Sequence, residues 1–368
     1  MLDLNFFKEA PLLVNNFLNN LKRDNSNSFQ PALRGTTQYG DQLSLGFSCF
    51  VLKILYMNNE WLGLSHEKKI EWIDYINSFQ VENSDFQRNS FVDATIVKAY
   101  LTKNFEKDLK FFAKKILNQT LNKKYDLKVD LLNKAINAET KQAVSTLSQL
   151  GFQNNRKINQ VYTNNLELTK YLENLDWTKP WSAGAQYSSI CVFSVTQNLD
   201  LQTKLENFID SLANKETGSY YTKQPKSQRE VINGAMKVIS GLDWLEKEIH
   251  YPKELVDFCL HNNPILEGCD IVDFVYVLYS CSQQTDYKKS QIQKLFKEIL
   301  NDIRKLYHPK DEGFSYFFNK SQTHYYGVEI TKGEANADLH STLLCIWAII
   351  MILDILEEKP SIFNVIKP

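Results

Sequence analysis

The chain has 368 residues, 43% of them hydrophobic, including 22 Phe, 18 Tyr and 6 Trp, with only 13 Gly and 9 Pro. Scarce breakers and ample apolar material favour long helices over a sheet-and-turn protein, and the length suits one large domain over 1–368. Lys and Arg number 42 against 43 Asp and Glu, a formal charge of -1, which excludes a general electrostatic attraction to nucleic acid or to anionic membrane.

The start, Met1 to Asn25, carries acidic residues and an amphipathic pattern, without the basic, apolar and small-residue regions of a signal peptide, and reads as a first structural helix. Asp41 to Tyr56 is apolar nearly all round and reads as an inner helix; Ser65 to Phe79 alternates charged and apolar residues and reads as its outer cover. The alternation recurs. Phe91 to Leu101 precedes Glu106 to Leu117, Ala183 to Thr196 precedes Leu201 to Ala213, and Ile232 to Leu245 precedes Pro252 to His261. Cys269 to Cys281 precedes Ser290 to Leu306, and Ala337 to Leu356 closes the series. A buried helix followed by a covering helix, roughly every 45 to 55 residues, is the pattern of stacked helical hairpins.

Between them, Asn118 to Asn174 is polar, rich in Asn and Lys and weakly periodic, and is expected to hold a looser hairpin or an excursion over a pocket. Thr217 to Thr222 (TGSYYT) and Asp311 to Phe318 (DEGFSYFF) each place a Gly before aromatics and mark junctions between hairpins. The most apolar run, Leu343 to Leu353, is about eleven residues long where a bilayer needs about 20. It reads as a buried helix, and no integral membrane protein is expected. The six Cys form no CxxC pair and mostly sit in apolar helical stretches, which predicts free thiols and a reducing, cytoplasmic setting.

DEGFSYF (Asp311 to Phe317) resembles the Gly-aromatic segment repeated in prenyltransferases and squalene cyclases. ADLHSTLLCIW (Ala337 to Trp347) resembles the last inner helix of protein prenyltransferase β-subunits, and EGCDIVDFVYVLYSC (Glu267 to Cys281) resembles the inner helix carrying their Asp and Cys ligands. Where that family has Asp, one residue, then Cys, this chain has Cys269 directly before Asp270. The resemblance is to the α/α-toroid superfamily of terpenoid cyclases and prenyltransferase β-subunits. It implies an all-α toroid of about six helical hairpins whose inner helices line a central cavity. It also implies a divalent metal, zinc or magnesium, with Asp270, Cys269 and His340 as ligands, and it leaves a partner subunit open. No DxDD or DDxxD motif is present, nor a P-loop, GxGxxG, HExxH or GxSxG.

Candidate functional residues gather at polar helix starts. Thr323 to His340 offers His324, Tyr325, Tyr326, Asp338 and His340 as acids, bases, ligands or substrate contacts; Asp338 alternatively caps the helix and His340 hydrogen-bonds in the core. Asp270 and Asp273 open an apolar helix, where Asp270 suits a cap and Asp273, among Ile271, Val272, Phe274 and Val275, needs a partner or a role. Trp181 and Gln186 in WSAGAQ, Asn233 and Lys237 in INGAMK, Tyr221 and Asp41 are candidate substrate contacts, with close helix packing, capping or snorkelling as the structural alternatives.

The expected function is an isoprenoid-handling enzyme, a prenyl transferase or a terpene cyclase without the usual aspartate-rich motifs, acting on a small lipid substrate. The alternatives are a glycan-active (α/α)-barrel enzyme (polysaccharide lyase, uronyl epimerase or glycoside hydrolase) and a non-catalytic binding scaffold.

Overall fold

The computed structural model describes residues 3–23, 26–82, 86, 89–102, 105–120, 125–159, 165–223, 225 and 227–368. Helices α1 (Leu4–Leu21), α2 (Gln38–Gln42), α3 (Leu45–Met57), α4 (Glu60–Gly63), α5 (His66–Asn77), α6 (Ala94–Leu101), α7 (Phe105–Thr120) and α8 (Lys128–Gln149) make up its first half. They are followed by α9 (Asn165–Asn174), α10 (Pro180–Thr196), α11 (Gln202–Asp210), α12 (Gln228–Trp244), α13 (Pro252–Leu260), α14 (Gly268–Ser282) and α15 (Lys289–Lys305). Two short antiparallel hairpins then intervene, β1 (Tyr307–His308) with β2 (Gly313–Phe314) and β3 (His324–Tyr325) with β4 (Val328–Glu329), before α16 (Leu339–Ile355). The expected all-α class holds, with the two small hairpins added to it.

α16 is apolar at nearly every position and is buried on all sides, because a helix without a polar face has none to offer water. α15 instead buries one stripe, Ile292, Phe296, Ile299, Leu300 and Ile303, and lays it against α14 and α16. Six helices carry the packing: α3 lies against α8, α8 against α10, α10 against α12, α12 against α14, α14 against α16, and α16 again against α3. The other helices sit on this circuit, α1 on α16 and α3, α5 on α3, α11 on α10, and α13 on α14.

The starts of several of these helices lie side by side. A Cβ on Gly234 of α12 would come within 2.5 Å of Pro180, the first residue of α10, so the small residue in INGAMK is a packing requirement. Asn233 of α12 donates to Asp270 in the first turn of α14 at 3.2 Å, and His340 at the start of α16 stacks on Phe50 of α3 at 4.7 Å.

The structure changes two expectations. Phe91 to Leu101 is not an inner helix: its helical part, α6, begins only after the Asp93 cap, buries Thr95 and Ile96 alone, and leaves Leu101 69% exposed. The place between α3 and α10 belongs to α8, inside the stretch read as a looser hairpin or an excursion, whose residues 121–124 and 160–164 lie outside the described ones. α8 buries Leu132, Ala135, Ile136, Ala143, Val144 and Leu147, but also Glu139, Thr140, Ser145 and Thr146. Buried polar residues inside the stripe hide its period from a reading of hydrophobicity alone. TGSYYT is a junction as expected, with Gly218 at φ +70° and Ala213 bridged to Tyr220. All six Cys are free thiols, and among the described residues no helix is long and apolar enough to cross a membrane.

Candidate functional site

The β3–β4 hairpin delivers two tyrosines to the α3, α8 and α16 side of the circuit. Alternation along the strand buries Tyr325 and leaves His324 outside, while Tyr326 takes φ +44° at the turn, where its carbonyl accepts from Tyr100 Oη of α6 at 2.8 Å. The Tyr325 ring packs on Phe47 and Phe50 of α3, and its hydroxyl donates to Glu139 Oε1 of α8 at 2.5 Å. Gly46 makes this possible, because a Cβ there would collide with the Tyr325 hydroxyl and crowd Glu139. Gly46→Ala is therefore expected to push Tyr325 off Glu139 and to lower stability by about 1–3 kcal/mol, a typical overpacking cost; thermal unfolding measures it, and an unchanged midpoint would show that the hydroxyl does not sit there.

Glu139 is 1% exposed, and its second oxygen, Oε2, has no hydrogen-bond partner among the described residues. Burial is the main force on it and pushes its carboxyl up to about 8, so at neutral pH it holds a proton.

His340 lies between Phe50 and Tyr316, with Nδ1 at 3.0 Å from Gln322 Oε1. With that oxygen as acceptor, Nδ1 carries the proton and Nε2 keeps its lone pair. Burial, helped by Lys237 and Lys53, pushes the ring down to about 3, so it is neutral at physiological pH. Gln322 is itself held through its backbone N–H, which donates to Asp338 Oδ2 at 3.0 Å.

Asp338 is a structural node. Oδ1 accepts from Ser341 N at 2.9 Å and Ser341 Oγ at 2.7 Å, and Oδ2 accepts from Tyr316 N and Gln322 N, both at 3.0 Å. Burial pushes its carboxyl up to about 6 while these donors pull the other way. Four donors leave it no free edge for a substrate, so the capping alternative describes it.

Three lysines complete the interior. Lys237 of α12 pairs with Asp273 of α14 at 3.4 Å; Asp273 is 2% exposed, its Oδ2 has no partner among the described residues, and burial pushes it up to about 6. Lys53, inside apolar α3, is pushed down to about 8 by burial. Lys141 of α8 is pushed down to about 7, first by burial and then by Lys237 and Lys53. Among the described residues neither Lys53 nor Lys141 has a hydrogen-bond or ion-pair partner. Lys141, Cys269 and His340 are half-buried and Tyr326 is 37% exposed, so each keeps accessible surface.

No family model, no curated protein and no solved structure matches the chain. Its site is therefore read from its own residues.

Of the predicted site residues, the structure brings together His340, Tyr325, Tyr326, Asp273, Lys237 and Cys269. Asp270 is adjacent but engaged: Arg229 Nε donates to Oδ1 at 2.6 Å, Asn233 Nδ2 to the same oxygen, and Ile265 N to Oδ2 at 2.7 Å. The expected metal set therefore does not fit. Both Asp270 oxygens are committed, and among the described residues no group of three or more His, Cys, Asp and Glu side chains is arranged to hold an ion.

The remaining candidates lie elsewhere. His324 is exposed and bonds Thr323 Oγ1, Asp41 is exposed in α2, and Tyr221 bonds Thr217 Oγ1 at the TGSYYT junction. Trp181 is exposed at the start of α10, its N–H donating to Glu230; Gln186 accepts from Tyr171 and Asn137. The unpredicted members are Lys53, Glu139, Lys141 and Gln322. A lysine in the all-apolar Phe50 to Tyr56 run was a usable signal for Lys53, whereas Glu139 and Lys141 look like any charges in a polar stretch.

Chemically, the interior offers an anion-binding side, the three ammonium groups, and a proton-transfer side. On the latter, Glu139 is protonated behind Tyr325, Asp273 titrates near 6, and His340 presents a neutral Nε2.

Proposed function

We propose that the chain is an (α/α)-toroid enzyme that binds a small anionic substrate inside the circuit of helices and transfers a proton on it, an isoprenyl diphosphate being the substrate that fits the wall. The closed order of neighbours from α3 round to α16 supports the toroid. The observation that carries the function is the convergence of Lys53, Lys141 and Lys237, of which, among the described residues, Lys237 alone pairs with a carboxylate, Asp273. Unpaired ammonium groups in a buried space are costly to the fold and answer a ligand's charge. Phe47, Phe50, Tyr316, Tyr325 and Tyr326 supply the aromatic surface for an apolar chain. In this reading protonated Glu139, held by the Tyr325 hydroxyl, is the proton reserve of the site, and His340 or Asp273 accepts a proton from the substrate.

Inorganic pyrophosphate is the test ligand. Titration calorimetry is expected to show binding that Lys53→Met and Lys141→Met each weaken at least tenfold, about 1.4 kcal/mol. Absence of binding, or binding indifferent to both substitutions, rejects the reading. A second reading rests on the Tyr325–Glu139 pair beside lysines, which also suits proton removal next to the carboxylate of a uronate sugar. Binding of an oligouronate in preference to pyrophosphate selects it.

A further inference from the structure

α7 is amphipathic in an unusual orientation. At 100° per residue, Leu109, Phe112, Ala113 and Ile116 share one face, with Lys110 on one flank and Lys115 on the other. That apolar face is turned to solvent: Leu109 is 57% exposed, Phe112 59% and Ile116 42%. The opposite side is the one tied to the protein. Asp108 pairs with Lys128 at 3.0 Å, Asn118 exchanges two 2.8 Å bonds with the backbone of Tyr125, and Phe111 and Lys114 are half-buried. Ordinary surface helices do the reverse, and an outward apolar stripe marks an interaction surface. Leu101, just before α7, lines a shallow depression of about 600 Å³ together with Val81, Val92, Ala94 and Val97.

The charge around this stripe chooses the partner. From Phe105 to Lys124 the sequence has Lys107, Lys110, Lys114, Lys115, Lys123 and Lys124 against only Glu106 and Asp108. Among the described residues, Lys110 and Lys115 pair with no carboxylate. Apolar residues at helical spacing, flanked by unpaired lysines, are the pattern of a helix lying in the interface of an anionic bilayer, apolar face down and lysines against phosphate headgroups. The formal charge of -1 for the whole chain excludes a general attraction to such a surface, not a local one.

We propose that α7 docks the protein reversibly on anionic membrane through Leu109, Phe112 and Ile116, with Lys110 and Lys115 gripping the headgroups. The inference is independent of the interior site, and its test uses no substrate.

The full chain is sedimented with vesicles of equal parts phosphatidylcholine and phosphatidylglycerol, and with vesicles of phosphatidylcholine alone. Binding is expected only to the first, with loss in high salt. Lys110→Glu with Lys115→Glu is expected to weaken it about tenfold or more, and Leu109→Ser, Phe112→Ser and Ile116→Ser together to abolish it. These side chains are exposed, so the variants are expected to unfold with the wild-type midpoint. Phe112→Trp gives an independent signal, a blue shift of indole emission on addition of the mixed vesicles. No binding, or binding that survives the triple serine variant, overturns the proposal. So does a wild-type dimer that the triple variant dissolves in the absence of vesicle binding, which would make the stripe a contact between copies.

Discussion

Asp338→Ala is expected to destabilise the protein by about 3–5 kcal/mol, the largest effect among single substitutions at the site. The substitution strands four donors in a region closed to water: the backbone N–H groups of Tyr316, Gln322 and Ser341, and the Ser341 hydroxyl. Each buried, unmatched donor costs about 1–3 kcal/mol, and local relaxation recovers part of the sum. Asp338 also joins distant pieces, since it caps α16 while holding the segment after β2 and the segment before β3. Equilibrium urea unfolding at neutral pH measures the loss. Asp338→Asn keeps the acceptor but turns a donor toward one of these N–H groups, and is expected to lose about half as much. A loss below about 1 kcal/mol for the alanine variant would mean that the four donors find other partners, contrary to their burial.

Glu139→Gln is expected to stabilise the protein increasingly as pH rises. The carboxyl is held up to about 8 against an ordinary 4.5, so the folded state binds a proton that the unfolded state releases. The stability due to that proton is fully present below about 4.5 and is lost as pH rises through 8. Gln keeps the acceptor for Tyr325 and never ionises. The two proteins should therefore match near pH 4.5 and diverge to about 2–4 kcal/mol in favour of Gln above pH 8, a discounted reading of the shift.

Lys141→Met should show the opposite profile. Its ammonium is pushed down to about 7 from 10.5, so the stability tied to the neutral amine is present above 10.5 and is lost as pH falls through 7. The Met variant should gain most below pH 7. Urea unfolding of the wild type and both variants at pH 5, 7 and 9 separates the cases. A Glu139→Gln variant that is less stable at every pH would show instead a salt bridge between an ionised Glu139 and a lysine. Both gains, with loss of pyrophosphate binding for Lys141→Met, are what a site held at the expense of stability predicts.

The parts of this protein that were legible in its sequence are those whose cause is local. Period and composition identify α16, α14, α10 and α3 as buried helices and α15 and α5 as their covers, because a helix declares its environment through which of its faces are apolar. The junction at Gly218 follows from turn chemistry, and the buried carboxylate Asp273 stands out among its apolar neighbours. The cap at Asp338 was one of two alternatives, and the four donors that occupy both oxygens of the carboxylate decide between them.

Everything that makes the interior a site is non-local. Tyr325 and Glu139 meet across 186 positions, Lys237 and Asp273 across 36, and His340 finds Phe50 from the far end of the chain. No periodic pattern encodes such meetings, which exist only once six helices have chosen their neighbours. α8 shows the same limit from the other side: its polar surface left a looser hairpin and an excursion open, and tertiary packing made it a neighbour of α3 and α10. Glu139 sits among its buried residues, and Lys141 lies within the electrostatic reach of Lys237 and Lys53. What the sequence by itself determined is a chain of buried and covering helices with polar starts. The tertiary structure alone decided which of those starts share a space, and therefore where three lysines and two raised carboxyls meet, because burial and mutual field act on groups through distance in space and not along the chain.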